Sequence, residues 1–551
     1  MSDIKKVYGI DLGTTYSVIA ALDSTGKPEV FEFYSEGERV MPSAVYFQPE
    51  GVPVVGKEAK AMAETEPERV IQWVKRQIGK SDVKYNFDGV EYDPITISSL
   101  ILKRIKEDIE QQGNEVNDVV ITCPAYFGNE EKMATRQAGQ IAGLNVLNII
   151  HEPTAAALSY CAREFGEPRK IMVYDLGGGT FDVTLLSFSV DQNGGNAAID
   201  IIDSKGDDRL GGIDWDNRLM NHICNLYADK LGIEAEDIDD DVKLAIKIKV
   251  EDTKKALSKM DVRSINVGGE RVDVTKQGFE DASRDLVDRT MNFVRQLLSN
   301  NNLSPDNVNT VLLVGGSSRM PMIQEAVKAL FPGKVRVEDP DFAVAKGAAI
   351  AAYMSFNPII SDKDKNAINN NDDTSKGVSL IPEIKVNDKL SRSFGPAIWT
   401  RDSSNAEVFR INNLLFIGDP SPSEAEAIYG TMVDNQKVVV LPVYEDTGKD
   451  KKLHEFITPS ENEDGKPQAS DPALNVKKIG EVTLDLPAHT PAGSPIKVRF
   501  ECSTEGLTVY AENMNTGENV KATIKSETLK SEAEILRDTQ HLASFETKGT
   551  L

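Results

Sequence analysis

The sequence contains few cysteines, no long apolar run and no excess of basic residues. The four cysteines, Cys123, Cys161, Cys224 and Cys502, are too widely spaced to predict a disulfide framework or a paired metal or redox motif. No run of about 18 apolar residues predicts a membrane span, and no apolar signal core follows the first Met, so we expect a cytoplasmic protein. The formal net charge of −25 argues against binding to nucleic acid or an anionic membrane, because both require a basic surface.

Two common nucleotide-binding motifs are also absent. No Gly-x-x-x-x-Gly-Lys-Ser/Thr loop occurs, which excludes a P-loop site. The glycine triplet 177–179 is followed by Asp182 where a dinucleotide-binding fingerprint needs its third glycine, and a strand rather than a helix is predicted next. Taken alone, this triplet is typical of a tight turn.

One pattern, however, occurs twice. Residues 8–17 (Tyr-Gly-Ile-Asp-Leu-Gly-Thr-Thr-Tyr-Ser) and 173–182 (Val-Tyr-Asp-Leu-Gly-Gly-Gly-Thr-Phe-Asp) each place an Asp-Leu-Gly turn between two predicted strands. We call residues 11–15 the first corner and residues 175–180 the second corner. Because glycine has no side chain, such a turn lets backbone N–H groups approach an anion. Two facing corners would clamp the phosphates of one nucleotide, with Asp11 and Asp175 available to hold a metal.

Length and patterning predict several domains. A chain of 551 residues exceeds what one core normally organises. Strand and helix patterns alternate to about residue 357, residues 361–376 are polar and typical of a linker, and short alternating strands follow. We predict an α/β domain over 1–358, a flexible linker over 359–377, a β-domain over 378–525 and a short C-terminal helix or tail over 526–551. The predicted helices include Ile97–Gln111, Asn129–Ala142, Asp239–Leu257 and Gly278–Leu298.

A third glycine element follows the predicted strand Thr310–Val314. Gly315 and Gly316 would allow close approach of a flat ring or a ribose, and the N-terminus of the next helix adds positive potential. On its own, this element is typical of an ordinary strand-to-helix turn.

The order of these motifs resembles the heat shock protein 70 family. Besides the two corners, the resemblance is carried by Pro124-Ala125-Tyr126-Phe127, Glu152-Pro153-Thr154, Leu210-Gly211-Gly212 and Val314-Gly315-Gly316-Ser317-Ser318-Arg319. It covers about the first 355 residues. The implied fold is the α/β actin-like ATPase, a duplicated two-lobe fold around a cleft, followed by a β-sandwich substrate-binding-like domain.

The resemblance implies a site for ATP or ADP with Mg²⁺, with K⁺ as a second candidate ion. Asp11 and Asp175 would hold Mg²⁺ through water. Lys75 would orient the attacking water, although a lysine read without family context is typically a solvated helix residue. The other implied catalytic residues are Glu152, Asp175, Thr180 and Asp182. The implied nucleotide-binding residues are Gly13, Thr14, Thr15, Tyr16, Gly177, Gly178, Gly179, Gly211, Gly212, Glu251, Lys254, Lys255, Ser258, Gly315, Gly316, Ser317, Arg319 and Asp341.

The β-region resembles the family's peptide-binding β-sandwich more loosely. Residues 431–438 match its Asp-Asn-Gln hairpin, whereas Ser391–Gly395 replaces an apolar Leu-Ser-Leu-Gly stretch. The implied ligands are unfolded or extended peptides, and the implied partners are a J-domain co-chaperone and a nucleotide-exchange factor. The alternative is a β-sandwich without a peptide groove. The family's acidic, leucine-rich linker and most of its helical lid are missing, so we expect bound peptide to dissociate quickly.

We therefore predict an ATP-dependent chaperone of the heat shock protein 70 type, in which ATP hydrolysis controls peptide binding. The alternative is a nucleotide-gated regulatory or scaffold protein that binds one dedicated partner. A small-molecule kinase of the same actin-like fold is a third option, which the β-domain disfavours.

Overall fold

The computed structural model describes residues 6–49, 51–190, 197–337, 339–356, 384–401, 407–446, 456–457, 470–471, 476–503, 506–524 and 529–545. The chain forms two compact units. Unit 1 comprises Met1–Tyr126, Thr135–Val386 and Glu532–Leu551, and unit 2 comprises Phe127–Ala134 and Asn387–Ser531. The predicted linker, residues 359–377, lies outside the described residues.

The helices are bounded as follows: α1 (Lys57–Met62), α2 (Pro94–Glu110), α3 (Asn129–Ile141), α4 (Glu152–Arg163), α5 (Gly212–Leu231), α6 (Asp240–Leu257), α7 (Lys276–Ala282), α8 (Arg284–Asn300), α9 (Pro321–Leu330), α10 (Ala343–Phe356) and α11 (Glu532–Ser544). The strands of unit 1 are β1 (Tyr8–Asp11), β2 (Tyr16–Leu22), β3 (Pro28–Val30), β4 (Met41–Pro42), β5 (Ala44–Tyr46), β6 (Val54–Val55), β7 (Val70–Gln72), β8 (Tyr85–Phe87), β9 (Val90–Tyr92), β10 (Asp118–Cys123), β11 (Asn145–His151), β12 (Arg169–Leu176), β13 (Phe181–Val190), β14 (Ala197–Asp207), β15 (Val262–Val267), β16 (Glu270–Thr275), β17 (Thr310–Val314) and β18 (Val335–Arg336). No described helix is long and apolar enough to cross a membrane.

Unit 1 contains two sheets that share one strand order. The first runs β11-β10-β1-β2-β3 and the second contains the run β18-β17-β12-β13-β14. In each sheet the central strand, β1 or β12, pairs antiparallel with the strand that follows it and parallel with β10 or β17. The repeated sequence pattern thus corresponds to a repeated five-stranded unit. We call the part of unit 1 up to His151 its first half and the part from Arg169 to Phe356 its second half.

Small residues let α10 approach its neighbours closely. A Cβ added at Gly347 of α10 would lie 1.7 Å from the carbonyl oxygen of Ala155 in α4. A Cβ added at Gly9 of β1 would lie 2.0 Å from the backbone nitrogen of Ala349. Neither position has room for a side chain, so α10 contacts both α4 and β1 through its backbone.

One helix that the sequence predicts as continuous is interrupted in the structure. The predicted helix Gly278–Leu298 is two helices, α7 and α8, separated at Ser283 with φ −116° and ψ 5°. The Ser283 hydroxyl is buried without a hydrogen-bond partner among the described residues, so it does not cap α8 and the interruption lies in the backbone. The interruption allows Phe279 of α7 and Leu286 of α8 to enter the same buried cluster.

Unit 2 is formed by two antiparallel sheets around one apolar core. Its strands are β19 (Ile384–Lys389, whose first residues belong to unit 1), β20 (Ser393–Arg401), β21 (Glu407–Asn412), β22 (Pro420–Ser421), β23 (Ser423–Gly430), β24 (Val438–Asp446), β25 (Phe456–Ile457), β26 (Ser470–Asp471), β27 (Val476–Asp485), β28 (Pro495–Ser503), β29 (Gly506–Asn513) and β30 (Asn519–Ile524). One sheet runs β25-β21-β20-β24-β27-β26 and the other runs β23-β28-β29-β30. Alternate residues of β28, including Val498 and Phe500, are buried with Val443 and Val482 of the facing sheet, as expected of a β-sandwich.

Helix α11 packs on α2 within unit 1. Leu542 is buried there, and Lys103 Nζ of α2 donates to the Leu542 carbonyl oxygen at 2.6 Å. A cation at the carboxyl end of a helix favourably opposes the helix dipole.

Candidate nucleotide site

The two corners lie directly against each other. A Cβ added at Gly178 would lie 1.8 Å from Thr15 Oγ1, and one added at Gly179 would lie 2.4 Å from Thr14 Cγ2. Asp11 is the last residue of β1, and Asp175 lies one residue before the end of β12. The duplicated fold therefore brings one acidic residue and one glycine-rich or threonine-rich turn from each half to the same place.

The backbone of the second corner is oriented by hydrogen bonds to three consecutive carbonyl oxygens. Gly177 O accepts from the N–H of Gly212 at 3.0 Å, and Gly178 O accepts from the next N–H, that of residue 213, at 2.9 Å. Gly179 O accepts from Arg76 Nε at 2.8 Å. In a trans peptide the C=O and the following N–H point in opposite directions. The N–H groups of residues 178–180 are therefore turned to the other side of the loop, as an anion site requires.

Ser43 orients the first corner in a similar way. Its hydroxyl donates to Gly13 O at 2.8 Å, and its backbone N–H donates to Thr15 O at 2.8 Å. The bond to the Gly13 carbonyl turns the N–H of Thr14 to the opposite side. Both corners thus present backbone donors while their carbonyl oxygens are occupied.

Buried carboxyl groups surround one buried lysine beside the corners. Lys75 forms an ion pair with Glu152, and both side chains are nearly inaccessible. Burial alone would lower the pKa of Lys75, but the charges of Glu152 and Asp11 outweigh it and raise that pKa. Lys75 therefore remains a cation at neutral pH.

The three aspartates of the site have raised pKa values because they are buried and close to other carboxylates. Burial and the charge of Glu152 raise the pKa of Asp11 to about 7, although Lys75 opposes the shift. Burial and Glu152 raise the pKa of Asp182 to about 8, and burial with Glu152 and Asp182 raises that of Asp175. With Glu152 the cluster holds four carboxyl groups and one lysine, and this excess of acidic groups favours binding of a further positive ion.

These residues fit a hydrated magnesium ion next to phosphate. In the part of the chain that the structure describes, no three His, Cys, Asp or Glu side chains form a direct metal cage. Two carboxylates facing a phosphate site instead suit Mg²⁺, which usually keeps several of its waters. The buried atoms Thr15 Oγ1 and Asp182 Oδ1 have no hydrogen-bond partner among the described residues. They are therefore available to a ligand or its water.

The comparison with known families agrees with this geometry. A sequence model of the Hsp70 protein family matches residues 7–362, well over half of the chain. The chain belongs to the Hsp70 protein family. The predicted fold is confirmed: the two equivalent sheets of unit 1 are the halves of an actin-like ATPase, and the strand-rich unit 2 is the β-sandwich that follows it. Hsp70 proteins are chaperones and ATPases that generally bind ATP or ADP with Mg²⁺.

The third glycine element lies beside the second corner of this Hsp70 protein. A Cβ added at Gly315 would lie 2.6 Å from Asp175 Oδ1, and Gly315 has a φ of +79°, which a larger residue rarely adopts. A Cβ added at Gly212 would lie 2.4 Å from Ser317 Oγ and 3.3 Å from Lys254 Nζ. Gly212, Lys254, Gly315 and Ser317, all predicted nucleotide-binding residues, therefore lie together beside the second corner.

Two further predicted residues form a neighbouring pair. Arg319 Nε donates to Asp341 Oδ2 at 3.0 Å, and a Cβ added at Gly316 would lie 3.2 Å from Asp341 Oδ1. Ser258 ends the predicted face of α6, where its hydroxyl donates to the Lys254 carbonyl oxygen at 3.2 Å. Ser258 thus bonds to its own helix, and no hydrogen bond among the described residues joins it to the glycine element.

Glu251 and Lys255 belong to a cluster that links the two halves. Tyr16 OH donates to Glu251 Oε1 at 2.9 Å, Lys255 Nζ lies 2.8 Å from the same oxygen, and Lys60 Nζ lies 2.5 Å from Oε2. Burial alone would raise the pKa of Glu251, but Lys60 and Lys255 lower it to about 2. Glu251 is consequently ionised throughout the neutral range and pairs with cations from both halves.

Sequence reasoning missed Ser43, Lys60 and Arg76. Ser43 and Lys60 lie in no motif quoted for the site, and Arg76 was visible only as the neighbour of Lys75. The one available signal was the order Lys75-Arg76, which places two cations in one short 3₁₀ turn, Val74–Gln77.

A separate surface cavity of about 370 Å³ does not belong to this site. It is lined by Glu164–Arg169, Asn309 and Thr310, at the amino ends of β12 and β17. The second corner and the third glycine element lie at the carboxyl ends of these two strands, where ligands of open α/β sheets bind.

Proposed function

We propose that this Hsp70-family protein hydrolyses ATP in unit 1 and that its nucleotide state controls the binding of extended apolar peptides by unit 2. The first part of this proposal rests on the two facing corners. Carbonyl oxygens of each corner accept hydrogen bonds from the protein, and the N–H groups that follow them point to the opposite side of the loop. Because phosphoryl transfer depends on positioning and electrostatics, such a constellation suits ATP hydrolysis.

The residues of the corners have complementary roles in this proposal. The N–H groups of residues 178–180 and Thr14 orient the phosphate oxygens. Asp11 and Asp175 would hold Mg²⁺ through water, and such an ion would supply positive charge next to the phosphates. Lys75, kept protonated by Glu152, donates to the attacking water and orients it. Glu152 and Asp182 complete the hydrogen-bond network around that water, and Asp182 Oδ1 has no hydrogen-bond partner among the described residues.

Thr180→Ala tests the ATPase role. We expect ATP turnover to fall by about tenfold to a hundredfold, the effect of losing one hydrogen bond to a charged group. Binding of ADP, measured by calorimetry, should change by less than about threefold, because the backbone donors remain. Thr184→Ala is the matched control, since Thr184 is a buried threonine of the same strand region whose hydroxyl bonds to Ser204. Wild-type turnover in Thr180→Ala would contradict the assignment.

Unit 2 exposes apolar side chains where the family resemblance places a peptide site. In the loop between β23 and β24, Met432 is 53% exposed and Val433 is 58% exposed. Val438 and Val440 of β24 and Trp399 of β20 are also exposed. Several exposed apolar side chains within one segment, here residues 432–440, are typical of an interaction site, and an extended peptide is the ligand that the resemblance implies.

Fluorescence anisotropy with a labelled apolar heptapeptide tests this part. We expect binding in the presence of ADP and weaker binding in the presence of ATP. Met432→Asp should weaken binding by about tenfold, because a buried contact is replaced by a charge. Met514→Asp is the control: Met514 is 48% exposed in a different hairpin. Equal loss in both variants would contradict the assigned surface.

A dedicated-partner scaffold is the second candidate function. It is favoured by Arg392, which occupies the stretch where relatives are apolar and forms a buried ion pair with Glu445 at 2.9 Å. Complete absence of peptide binding in both nucleotide states would support it. We also propose a cytoplasmic location, and a J-domain co-chaperone and a nucleotide-exchange factor as partners, on the basis of family membership alone.

A further inference from the structure

Arg76 reaches from the first half of unit 1 to the second corner. Its Nε donates to the Gly179 carbonyl oxygen at 2.8 Å, and its Nη2 donates to the same oxygen. Nη2 also lies 3.4 Å from Asp214 Oδ2, which in turn accepts from the N–H of Gly211 at 2.8 Å. One guanidinium therefore joins the corner and the first turn of α5.

The Gly179 carbonyl differs from the two that precede it. The carbonyls of Gly177 and Gly178 are held by backbone N–H groups at the start of α5, which any sequence in that conformation would supply. The third carbonyl is held by a side chain. Because the Gly179 C=O and the Thr180 N–H belong to one planar peptide, fixing the first fixes the direction of the second. A charged donor makes this the strongest of the three bonds.

Arg76 also shares its turn with Lys75. Both residues lie in the 3₁₀ turn Val74–Gln77, which begins at Trp73 with a left-handed φ of 61°. A non-glycine residue rarely adopts this φ without a structural demand. The turn points Lys75 to the buried Glu152 and Arg76 to the second corner, so a displacement of the turn would move both contacts together.

We propose that Arg76 is a positioning residue for ATP hydrolysis. It holds the Gly179 carbonyl so that the Thr180 N–H faces the phosphates while the same turn presents Lys75. The proposal rests on the proposed ATPase function and adds a residue to it. Since Arg76 acts through Thr180, its removal should lower turnover more than nucleotide binding.

The test compares Arg76→Ala, Arg76→Lys and the control Arg218→Ala. We expect Arg76→Ala to lower single-turnover hydrolysis by about tenfold or more, with ADP affinity changed by less than about threefold. Arg76→Lys should retain part of the rate, because it keeps the charge but loses the second donor of the fork. Arg218 forms an exposed ion pair with Asp285, so its variant should match the wild type.

Chemical rescue separates positioning from a general structural role. Guanidinium at millimolar concentration should restore part of the turnover of Arg76→Ala, whereas sodium chloride at equal ionic strength should not. In nucleotide-free protein, amide hydrogen exchange should rise at residues 177–182 and 211–214 and remain unchanged in the β15–β16 hairpin. Faster exchange throughout unit 1, or turnover equal to the wild type, would overturn the role of Arg76. Absence of turnover in the wild type would instead overturn the ATPase proposal itself.

Discussion

The two corners of unit 1 have nearly the same sequence pattern but are held by different partners. The first is held by Ser43, a neutral residue that lies only 30 positions away from Gly13. The second is held by the start of α5 and by Arg76, a charged residue from the other half of the unit, 103 positions away from Gly179. The geometry of the first corner is therefore set within its own half. That of the second depends on how the two halves are placed, so it is the corner that can respond to closure of the cleft.

The largest effect should come from filling the space between the corners. Gly178→Ala would place a Cβ 1.8 Å from Thr15 Oγ1, whereas at Gly177 the nearest atom, Thr180 O, is 3.6 Å away. We expect Gly178→Ala to lower turnover by about a hundredfold or more because the corners must separate, and Gly177→Ala to stay within about threefold. Single-turnover hydrolysis and ADP calorimetry measure both. Similar losses in the two variants would show that the corners need not touch.

Asp182 marks a second difference between the copies, because its counterpart in the first sheet is Val18. Its pKa is raised from an ordinary value near 3.8 to about 8, chiefly by burial. An acid with a raised folded-state pKa favours folding at low pH, and this contribution is lost progressively as the pH rises from about 3.8 to about 8. In metal-free and nucleotide-free protein, Asp182→Asn should therefore raise the free energy of unfolding by roughly 3–6 kcal/mol at pH 9 relative to wild type.

At pH 4 the same substitution should have a much smaller effect, since Asp182 is then protonated in the folded protein and its carboxyl is still partly protonated in the unfolded chain. Urea denaturation at the two pH values checks this, with unit 1 followed by hydrogen exchange of β12 and β13. A gain that is equal at both pH values would exclude titration of Asp182 as its cause.

Removing the hydroxyl of Ser43, the neutral residue that holds the first corner, tests whether the two corners contribute differently to turnover. Ser43→Ala deletes the hydroxyl bonds to Gly13 O and to Ser17 Oγ but leaves the backbone bond to Thr15 O. We expect turnover to fall by about threefold to tenfold, less than for Arg76→Ala, because neutral hydrogen bonds are weaker than charged ones. Ser98→Ala, in which a buried hydroxyl bond within α2 is lost, is the control. A loss as large as that of Arg76→Ala would remove the distinction between the corners.

The smallest effect should follow from weakening the second contact between the halves. Glu251→Gln removes the charge that pairs with Lys60 and Lys255, both of which lower its pKa to about 2 against the effect of burial. We expect ADP to dissociate about twofold to fivefold faster, with no pH dependence between pH 6 and 8 because Glu251 is ionised throughout. Stopped-flow release of a fluorescent ADP measures the rate. Glu270→Gln, from an exposed pair with Lys230, should release ADP as the wild type does.

Local patterns predicted the elements and the positions of the acidic residues. The corners follow apolar strands in the sequence, so the places of Asp11 and Asp175 at strand ends could be read directly. The predicted strand Thr310–Val314 has the bounds that the structure shows. The predicted helix over 278–298 failed at Ser283, because helical periodicity persists on both sides of a short change in direction.

The partners of the corners could not be predicted in the same way. Ser43 and Arg76 act on backbone carbonyls, and a carbonyl carries no sequence signature. Their contacts depend on how segments far apart in the chain pack, which periodicity does not encode. The cluster of Tyr16, Lys60 and Glu251 could not be predicted for the same reason, because its members come from both halves of unit 1.

The left-handed Trp73 at the start of the Lys75–Arg76 turn has a practical consequence. The chain contains three tryptophans: Trp73 is 36% exposed, Trp215 is fully buried beside the second sheet, and Trp399 is in unit 2. Trp215→Phe combined with Trp399→Phe would leave Trp73 as the only tryptophan, two residues from Lys75. The fluorescence emission of an indole depends on its contact with water. That single fluorophore would give the turn an optical signal of its own, so its movement could be timed during one round of ATP hydrolysis without attaching a dye.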